Sequence, residues 1–279
     1  SVTPPGVVEM LRIKGIGPKK VRTLWKELGT ETVEELLDAC EQDRVSKLKG
    51  FGAKTQENIR QALLFTQQNR GKLLYAEAEP AAQELLERIQ VALPHTQIVL
   101  AGDVRRRLEI VEKLELIVAT DSLAEAEAAL NELDVLQQDE TISGPLVWRG
   151  KHALSGLATE IRFASKERFV NELFVRSAAV EHLTQVFAAG KTMLTVVREG
   201  NHTSEEDIYA SAGMAYVVPE LREGTNELQL AMDNKLPKLL ELSDLKGILH
   251  NHSTYSDGAH TLEQMATQCR DRGSQYLGS

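Results

Sequence analysis

The spacing of apolar residues predicts helices in the first quarter of the chain and a mixture of strands and helices after it. Near the amino terminus, apolar residues recur every three or four positions, as on the buried face of a helix. These residues are Val21, Leu24, Trp25 and Leu28 in a first helix, and Ile59 and Leu63 in a later one. Gly29 is a natural stop for the first helix, and Thr32 with Glu35 forms a capping-box pattern that begins the next.

Between residues 76 and 170 the pattern changes to short apolar runs that are typical of strands. Such runs cover residues 97–101, 114–119, 145–149 and 158–164. Helices are predicted around them, one beginning at Pro80 and carrying Leu85, Leu86 and Ile89, and one over residues 122–133. This alternation predicts a domain of mixed helices and strands.

Length and composition are those of an ordinary globular protein. A chain of 279 residues suits two or three small domains, and its 42% hydrophobic and 26% charged residues are typical values. No apolar run approaches the ~20 residues that a membrane span needs, and no signal peptide opens the chain. The two cysteines, Cys40 and Cys269, are far apart and make no disulfide framework. We therefore expect a cytoplasmic protein without a membrane partner.

Charge is distributed unevenly along the chain. The net charge of −9 argues against a globally basic nucleic-acid binder. Residues 1–75 nevertheless contain 13 Lys and Arg against nine Asp and Glu, so the remainder is strongly acidic. A basic amino-terminal segment on an acidic body predicts that polyanions bind at one place only.

A duplication is the most specific signal in the basic segment. Residues 13–20 read IKGIGPKK and residues 48–55 read LKGFGAKT, so the two copies are offset by 35 positions. In each copy an apolar residue and a lysine precede a Gly-x-Gly turn, and a helix is predicted to begin after it. This is the helix-hairpin-helix pattern, in which the glycines permit positive φ and let helix amides approach a phosphate.

The glycines and lysines of the two copies are therefore candidate DNA-binding residues. The glycines are Gly15, Gly17, Gly50 and Gly52, and the lysines are Lys14, Lys19, Lys20, Lys49 and Lys54. The lysines would add charge without base specificity, through phosphate contacts. The alternative is that each Gly-x-Gly is only a helix end and a turn. Two copies with matched lysines favour the phosphate-binding interpretation.

Two stretches of the central segment carry a family resemblance. They are AGDVRRRLEIVEKLELIVA, over residues 101–119, and GLATEIR, over residues 156–162. Together they resemble the palm of a family X DNA polymerase, a member of the nucleotidyltransferase superfamily. Such palms carry Gly-Ser, an arginine-rich turn, Asp-x-Asp on the next strand and a third Asp on a later strand. The three carboxylates hold two divalent ions about 3.5–4 Å apart.

This chain departs from the family pattern at the metal-binding positions. Lys113 and Glu115 stand at the Asp-x-Asp positions, and Glu160 stands at the third carboxylate. An ammonium group at Lys113 places positive charge where an ion would bind. We expect Lys113 to pair with Glu115 or Glu160 in place of a metal, which puts Mg²⁺ binding by the palm in doubt. The alternative is that the two glutamates still support weak catalysis.

The nucleotide-binding positions match only in part. Gly102 matches the family, and Arg106 matches an arginine that contacts the triphosphate there. Asp103 replaces the serine and would repel a triphosphate. The Thr-Gly-Ser of the family is replaced by Ser177-Ala178-Ala179.

The last third of the chain is similar to the thumb of bacterial members and to the segment after the thumb. Residues 204–224, SEEDIYASAGMAYVVPELREG, resemble that thumb, and the nearby His182 and His202 are expected to be packing or surface residues. Residues 236–258 resemble the junction with a PHP (polymerase and histidinol phosphatase) domain. PHP domains are distorted (β/α)₇ barrels with a trinuclear metal site that hydrolyses phosphoesters, often as a 3′–5′ exonuclease.

The PHP resemblance makes His250, His252 and Asp257 metal ligands of a first motif. Two histidines two positions apart on a strand would point to the same side, with Asn251 facing the other. Thr261 and Gln264 form a capping-box pattern for the next helix, and QYLGS is expected to begin a second strand. One such unit cannot close a barrel, so we expect the chain to be an internal piece of a longer protein.

The predicted architecture is an α+β multidomain fold. It comprises a fingers-like tandem helix-hairpin-helix (1–75), a nucleotidyltransferase-like palm with a mixed sheet (76–170), a small thumb (171–245) and the first βα unit of a PHP barrel (246–279).

The predicted function is DNA binding in repair by a family X polymerase-like protein with an inactive palm. The longer protein would carry PHP phosphoesterase or 3′–5′ exonuclease activity with Mn, Zn or Mg ions. The alternatives are an active gap-filling polymerase with altered ligands and a non-catalytic DNA-binding scaffold. Gapped or primer-template DNA is the expected partner, and the sequence determines neither the metal nor the oligomeric state.

Overall fold

The computed structural model describes residues 3–11, 13, 15–68, 71–188 and 190–278, with the side chains of 66–68 left aside. Lys14, one of the candidate DNA-binding lysines, lies outside the described residues. Within the described ranges, no helix is long and apolar enough to cross a bilayer.

The amino-terminal part is a small helical domain with its own apolar core. Its helices are α1 (Pro5–Met10), α2 (Pro18–Leu28), α3 (Val33–Glu41) and α4 (Ala53–Gln68), with a 3₁₀ turn at Val45–Lys47. Apolar side chains from all four helices pack together in one cluster. Gly29 ends α2 in the left-handed conformation, and Thr32 and Glu35 make the predicted capping box at the start of α3. Both local predictions are confirmed.

The central part is built around a five-stranded mixed sheet. Its strands are β2 (Ile98–Ala101), β4 (Lys113–Ala119), β5 (Leu136–Gln138), β6 (Val147–His152) and β7 (Ala158–Ala164), in the order β2-β4-β7-β6-β5. Only β4 and β7 run parallel. The other elements are β1 (Leu73–Leu74), α5 (Tyr75–Ala92), α6 (Gly102–Arg105), β3 (Ile110–Val111) and α7 (Leu123–Asn131).

Helix α5 begins earlier than the sequence pattern predicts. It starts at Tyr75, and Pro80 lies inside it rather than at its first turn, so the predicted start is wrong. One distant and one local hydrogen bond hold the added turn. The Tyr75 amide donates to the carbonyl of Glu109, and its hydroxyl donates to Glu79. These bonds offset the hydrogen bond that proline cannot donate.

The two faces of the sheet have different roles. One face packs against α5 and α7 through a large apolar core that includes Leu114, Leu116, Trp148, Ile161 and Phe163. The opposite face is apolar at one end only, where Ile117 and Ala164 pack against Phe169 of the next helix. The other end of that face carries charged residues. Because side chains alternate along a strand, those residues cluster on one side of the sheet.

The third part is a helical unit that comes after the sheet. It comprises α8 (Phe169–Arg176), α9 (Val180–Thr184), α10 (Met193–Glu199), α11 (Glu205–Ser211), a 3₁₀ turn (Pro219–Leu221) and α12 (Glu227–Met232). Its core includes Phe174, Met193, Ile208 and Tyr209.

The carboxyl-terminal part contains a small parallel strand pair. Strands β8 (Gly247–Ile248) and β9 (Tyr276–Leu277) flank α13 (Leu262–Asp271), after a 3₁₀ turn at Leu242–Asp244. The predicted capping box of Thr261 and Gln264 begins α13. The predicted α+β class, with a helix-hairpin-helix domain and a mixed sheet, is confirmed. The described residues do not include a barrel.

Candidate functional site

The two Gly-x-Gly turns have the same backbone geometry. Gly15 has φ of +92° and Gly50 has φ of +88°. Residues other than glycine are strained at such positive φ values. Each turn is closed by one hydrogen bond, from Ile16 to the carbonyl of Ile13 (3.2 Å) and from Phe51 to that of Leu48 (3.0 Å). The pairs are offset by the same 35 positions, so the sequence duplication is also a structural one.

The second glycine of each turn begins the next helix without positive φ. Gly17 is extended, with φ of −87°, and Gly52 likewise lacks a positive φ. The expectation of positive φ at every turn glycine is therefore wrong for these two. A side chain added at either position would meet nothing within 4 Å. Both glycines are exposed, so they leave the helix amides open to a group approaching from outside.

Lysines surround both helix starts. Lys19, Lys49 and Lys54 are exposed, and no ion pair joins any of them to a described carboxylate. Lys20 is half-buried and lies over the ring of Phe51, 5.9 Å from its centre, so it links the two hairpins. The exposed amides and free ammonium groups can accept a row of phosphates.

The sheet register brings two of the predicted carboxylate positions together. Glu115 on β4 lies directly opposite Glu160 on the parallel strand β7. Lys113 precedes Glu115 by two residues and shares its face. Its Nζ lies 2.9 Å from Oε1 of Glu115. The predicted ion pair is therefore confirmed, with Glu115 as the partner.

Glu160 is held by two arginines that the sequence analysis missed. Arg149 on β6 lies directly opposite it and donates to Oε2 at 2.9 Å, and Arg162 donates to Oε1 at 2.8 Å. Arg162 could have been found, because it follows Glu160 by two residues on the same strand. Arg149 could not, because its position depends on the register between β6 and β7.

The two glutamates differ in how readily they ionise. Burial raises the pKa of Glu115, and it outweighs the hydrogen bond from Lys113 and the charge of that lysine. Burial also raises the pKa of Glu160, but the hydrogen bond from Arg149 and the charges of Lys113 and Arg162 outweigh it, so this pKa is lowered. Both glutamates are nevertheless paired with cations of the protein, Glu115 with Lys113 and Glu160 with Arg149 and Arg162.

These positions do not fit a pair of divalent ions. Lys113, Arg149 and Arg162 contribute three positive charges around two carboxylates, where the family chemistry needs three carboxylates. Throughout the described ranges, no group of three or more His, Cys, Asp or Glu side chains could hold a metal ion.

Gly102 and Asp103 shape the loop next to Glu115. Gly102 has φ of +61°, and a side chain there would overlap the Glu115 carboxyl group, with its Cδ at 2.8 Å. Asp103 accepts a hydrogen bond from the Glu112 amide at 3.0 Å. Asp103 therefore closes the loop between α6 and β4, which gives this replacement of serine a structural role.

Three consecutive arginines of this loop pair with three glutamates of the helical unit. Arg105 donates two hydrogen bonds to Glu205, and Arg106 donates two to Glu223, the first of each at 2.9 Å. The third pair, Arg107 with Glu220, is looser at 3.5 Å. Arg106, predicted to contact a triphosphate, is thus already held by a carboxylate of the same chain. The three glutamates were missed, because nothing local links them to the loop.

A fully buried guanidinium stabilises this junction. Arg222 donates to Oε1 of Glu205 at 2.6 Å and to the carbonyl of Val217 at 2.9 Å, and it lies over the ring of Phe174. Glu205 therefore joins Arg222 to Arg105. Burial raises the pKa of Glu205, but hydrogen bonds from these two arginines outweigh it and lower the pKa.

The segment at the Thr-Gly-Ser position is tied to the same helical unit. Ser177 and Ala178 are buried, and the Ala179 amide donates to the carbonyl of Arg222 at 2.8 Å. The Ser177 hydroxyl has no hydrogen-bond partner among the described residues.

His182 is a buried structural residue rather than a ligand. Its Nδ1 lies 2.7 Å from Oε1 of Glu227 and its Nε2 lies 2.9 Å from the Tyr209 hydroxyl. Burial lowers the pKa of His182, and it outweighs the opposing hydrogen bond and charge of Glu227. His202 is also buried, beside Asp207 at 3.8 Å. The expectation that both are packing residues agrees with this burial.

Stability is expected to fall in mild acid because of His182. Its folded pKa lies below the ordinary value of 6.5, so below pH 6.5 the unfolded chain binds a proton that the folded chain does not. This histidine alone lowers the free energy of unfolding by up to about 1.4 kcal/mol per pH unit until the folded pKa is reached. Urea denaturation at several pH values measures the slope. His182→Gln should flatten it, whereas the exposed control His95→Gln should not; equal slopes in all three proteins would contradict the prediction.

The candidate PHP ligands are not arranged on a strand. Strand β8 ends at Ile248, and His250 has φ of +60°, so the expected placement of both histidines on one strand face is wrong. Their rings are tilted, 5.5 Å apart. His252 is hydrogen-bonded to Asp257, which lowers the pKa of that carboxyl, and the Asn251 amide donates to the carbonyl of Gly278. As placed, the three residues do not form a metal site.

Comparisons with known proteins identify proteins that are similar to this chain. Residues 7–63 match the family of SAM-like helix-hairpin-helix tandems. The chain is 32% identical over 290 aligned positions to the DNA polymerase/3′-5′ exonuclease PolX of Bacillus subtilis. That match covers 98% of this chain and 50% of the Bacillus protein, so the chain spans about half the length of this relative.

Two solved structures of Leishmania infantum polymerase beta also align with the chain. They are a ternary primer–template complex and a ternary gap complex, each 16% identical with a TM-score of 0.44. Both alignments cover 78% of this chain, and they cover 99% and 89% of the two polymerases.

Proposed function

Because the chain belongs to the bacterial family X DNA polymerases, we propose that it binds DNA in repair without adding nucleotides. The two hairpins bind the DNA backbone, and the palm, at residues 76–170, keeps its fold but not its metal-dependent chemistry. Residues 1–75 correspond to fingers, 171–245 to a thumb and 246–279 to the start of a PHP domain. A cytoplasmic location fits this role.

The ion pair of Lys113 with Glu115 is the main observation behind the proposed loss of nucleotide addition. Two-metal catalysis needs carboxylates free to bind divalent ions, which stabilise the attacking and leaving oxygens. Here an ammonium group lies 2.9 Å from one glutamate, and two guanidinium groups hold the other. The arginine that the family uses for the triphosphate is bound to Glu223. The carboxylates that would bind metal ions and the arginine that would bind a triphosphate are therefore already paired within the chain.

The matched hairpins support DNA binding through phosphates. Helix starts with exposed glycines and unpaired lysines bind phosphates of the DNA backbone. Because the phosphates repeat along the DNA, two such sites can bind the same strand. The remaining body is acidic overall, which directs a polyanion mainly to this part of the chain. Gapped or primer–template DNA is the proposed partner.

Removing charge from the hairpins is expected to weaken DNA binding and its dependence on salt. In Lys19→Gln/Lys54→Gln, the slope of log K against log salt should fall by about 1 for each phosphate that the protein no longer neutralises. Fluorescence anisotropy with a labelled gapped duplex measures both quantities. The control Lys26→Gln/Lys72→Gln removes the same charge at the far end of α2 and at the edge of β1. Equal slopes for the two variants would overturn the hairpin assignment.

Adding side chains at the second glycines tests close approach separately from charge. Gly17→Val/Gly52→Val places a side chain into open space at each helix start, without a change in net charge. We expect the DNA affinity to fall at least tenfold, on the order of 1.4 kcal/mol. Thermal unfolding should change little, since both backbones avoid positive φ. Unchanged affinity would exclude contact at these helix starts.

We further propose that the longer protein carries phosphoesterase activity in a PHP domain. The Bacillus relative is named a 3′-5′ exonuclease, and this chain spans half of it. His250, His252 and Asp257 are the residues this chain would contribute to a site with divalent ions such as Mn or Zn. Because they do not form a metal site as placed here, any such activity needs further ligands from the longer protein.

A further inference from the structure

The palm sheet carries a cluster of cations where its relatives' metal ions would lie. We propose that this cluster binds a phosphate of the DNA backbone directly, without a metal ion. The inference rests on the proposed DNA binding and goes beyond it by adding a second contact site, on the palm. We call the site the cationic face. It comprises Lys113, Arg149, Lys151 and Arg162, together with Glu115 and Glu160.

The sheet register places two lysines on either side of an alanine. Ala158 on β7 pairs with Lys113 on β4 and with Lys151 on β6. Neighbouring strands are about 4.8 Å apart, so the two lysine backbones lie roughly 10 Å apart across Ala158. A methyl group between two long cationic side chains leaves room for an anion about the size of a phosphate.

The next row of the same face adds two guanidinium groups. Glu115, Glu160 and Arg149 lie side by side on β4, β7 and β6, and Arg162 follows Glu160 by two residues. Both arginines use Nε to bind Glu160, and Nη1 of Arg149 donates to the carbonyl of Ile142. The terminal nitrogens of Arg162 and Nη2 of Arg149 have no partner among the described residues. They remain available as donors.

The charge of the face is positive after its internal pairs are counted. Four cations face two carboxylates, which leaves a net charge of +2. Side-chain exposure is 37% for Lys113, 33% for Arg149 and 21% for Arg162, so all three can be reached from solvent. Asp103 and Asp139 lie at the edges and accept hydrogen bonds from the Glu112 amide and from Thr141. Both are outside this count, and the negative charge of Asp139 interacts with Lys151. Fixed protein cations thus supply the attraction that metal ions supply in a working palm.

The ligand is a backbone phosphodiester rather than a nucleoside triphosphate. A triphosphate would also need the arginine loop, and Arg105 and Arg106 are each bound through two hydrogen bonds to glutamates. A phosphodiester carries a single negative charge, which two lysines across Ala158 can balance.

The test is DNA binding in the absence of divalent ions. Anisotropy is measured with a labelled gapped duplex, in EDTA and in Mg²⁺, for the unaltered chain, Lys151→Gln and Lys113→Gln/Lys151→Gln. We expect the salt slope to fall by about 1 in both variants, equally in EDTA and Mg²⁺, because both remove the same single phosphate contact. Lys151 is exposed and has no ion-pair partner among the described residues, so its variant tests the site even if the double variant misfolds.

The controls separate this proposal from DNA binding itself. Lys166→Gln removes an exposed lysine beyond the other end of β7 and should leave the slope unchanged. If the hairpin variants lower the salt slope and the Lys151 variants do not, the cationic face does not bind DNA, whereas the proposal that the hairpins bind DNA is supported. Dependence of the palm contribution on Mg²⁺ would also overturn the metal-free site. If neither set of variants affects binding, the proposed function itself fails.

Discussion

Replacing Glu205 with alanine is expected to lower the free energy of unfolding by about 3–5 kcal/mol. Glu205 is the shared partner of Arg105 and Arg222, and the Arg222 side chain is 0% exposed. Without the carboxylate, a fully buried guanidinium keeps its positive charge, because arginine cannot lose its proton at ordinary pH. The penalty of an unpaired buried charge, rather than the loss of one hydrogen bond, sets the size of the effect.

Glu220→Ala is the matched control for this prediction. Its partner Arg107 is 66% exposed and lies 3.5 Å away, so water replaces the missing carboxylate and the change should stay below about 1 kcal/mol. Urea unfolding followed by circular dichroism measures both variants. A loss in Glu205→Ala as small as that in Glu220→Ala would show that the arginine loop and the helical unit are not held together by this carboxylate.

The second large effect is the absence of primer extension. With gapped DNA, nucleotides and Mg²⁺ or Mn²⁺, we expect a rate lower than that of the Bacillus relative by at least about 10⁴-fold. Each of two metal ions contributes several kcal/mol to the transition state, and 1.36 kcal/mol corresponds to a factor of ten. In this chain, Lys113 pairs with Glu115 and Arg149 with Glu160, at the positions proposed to correspond to metal ligands. Labelled primer separated on a gel gives the rate.

Two controls make the primer-extension result decisive. DNA binding is confirmed on the same duplex, so that an unchanged primer cannot reflect a lack of contact, and the Bacillus protein shows that the assay works. Extension by the unaltered chain would contradict the loss of chemistry. If Glu115→Gln and Glu160→Gln then abolished that extension, the glutamates would be working metal ligands, as the alternative of a polymerase with altered ligands requires.

The arginine loop joins the central sheet to the helical unit that follows it. Arg105, Arg106 and Arg107 hold the palm against the helical unit through Glu205, Glu223 and Glu220. In this state the loop's positive charge is neutralised from within the chain. It acts as a structural joint, and the solvent-accessible cations of the sheet lie instead at Lys113, Lys151 and Arg162.

Features that depend on neighbouring residues could be predicted from the sequence alone. The two hairpins follow from glycines and lysines repeated at one offset, because a turn and a helix start are formed by a few consecutive residues. The capping boxes at Thr32 and Thr261 are local for the same reason. The pair of Lys113 with Glu115 was also predictable, since residues two apart on a strand share a face.

The pairing of distant charges depends on how the elements pack in the fold. Arg105 and Glu205 are 100 positions apart, and Arg106 and Glu223 are 117 apart. Arg149 reaches Glu160 because of the register between two strands, and no local pattern encodes that register. The same limit explains the early start of α5 and the placement of His250 off its expected strand. Short-range patterns set the elements, whereas packing between elements determined which distant carboxylate each arginine binds.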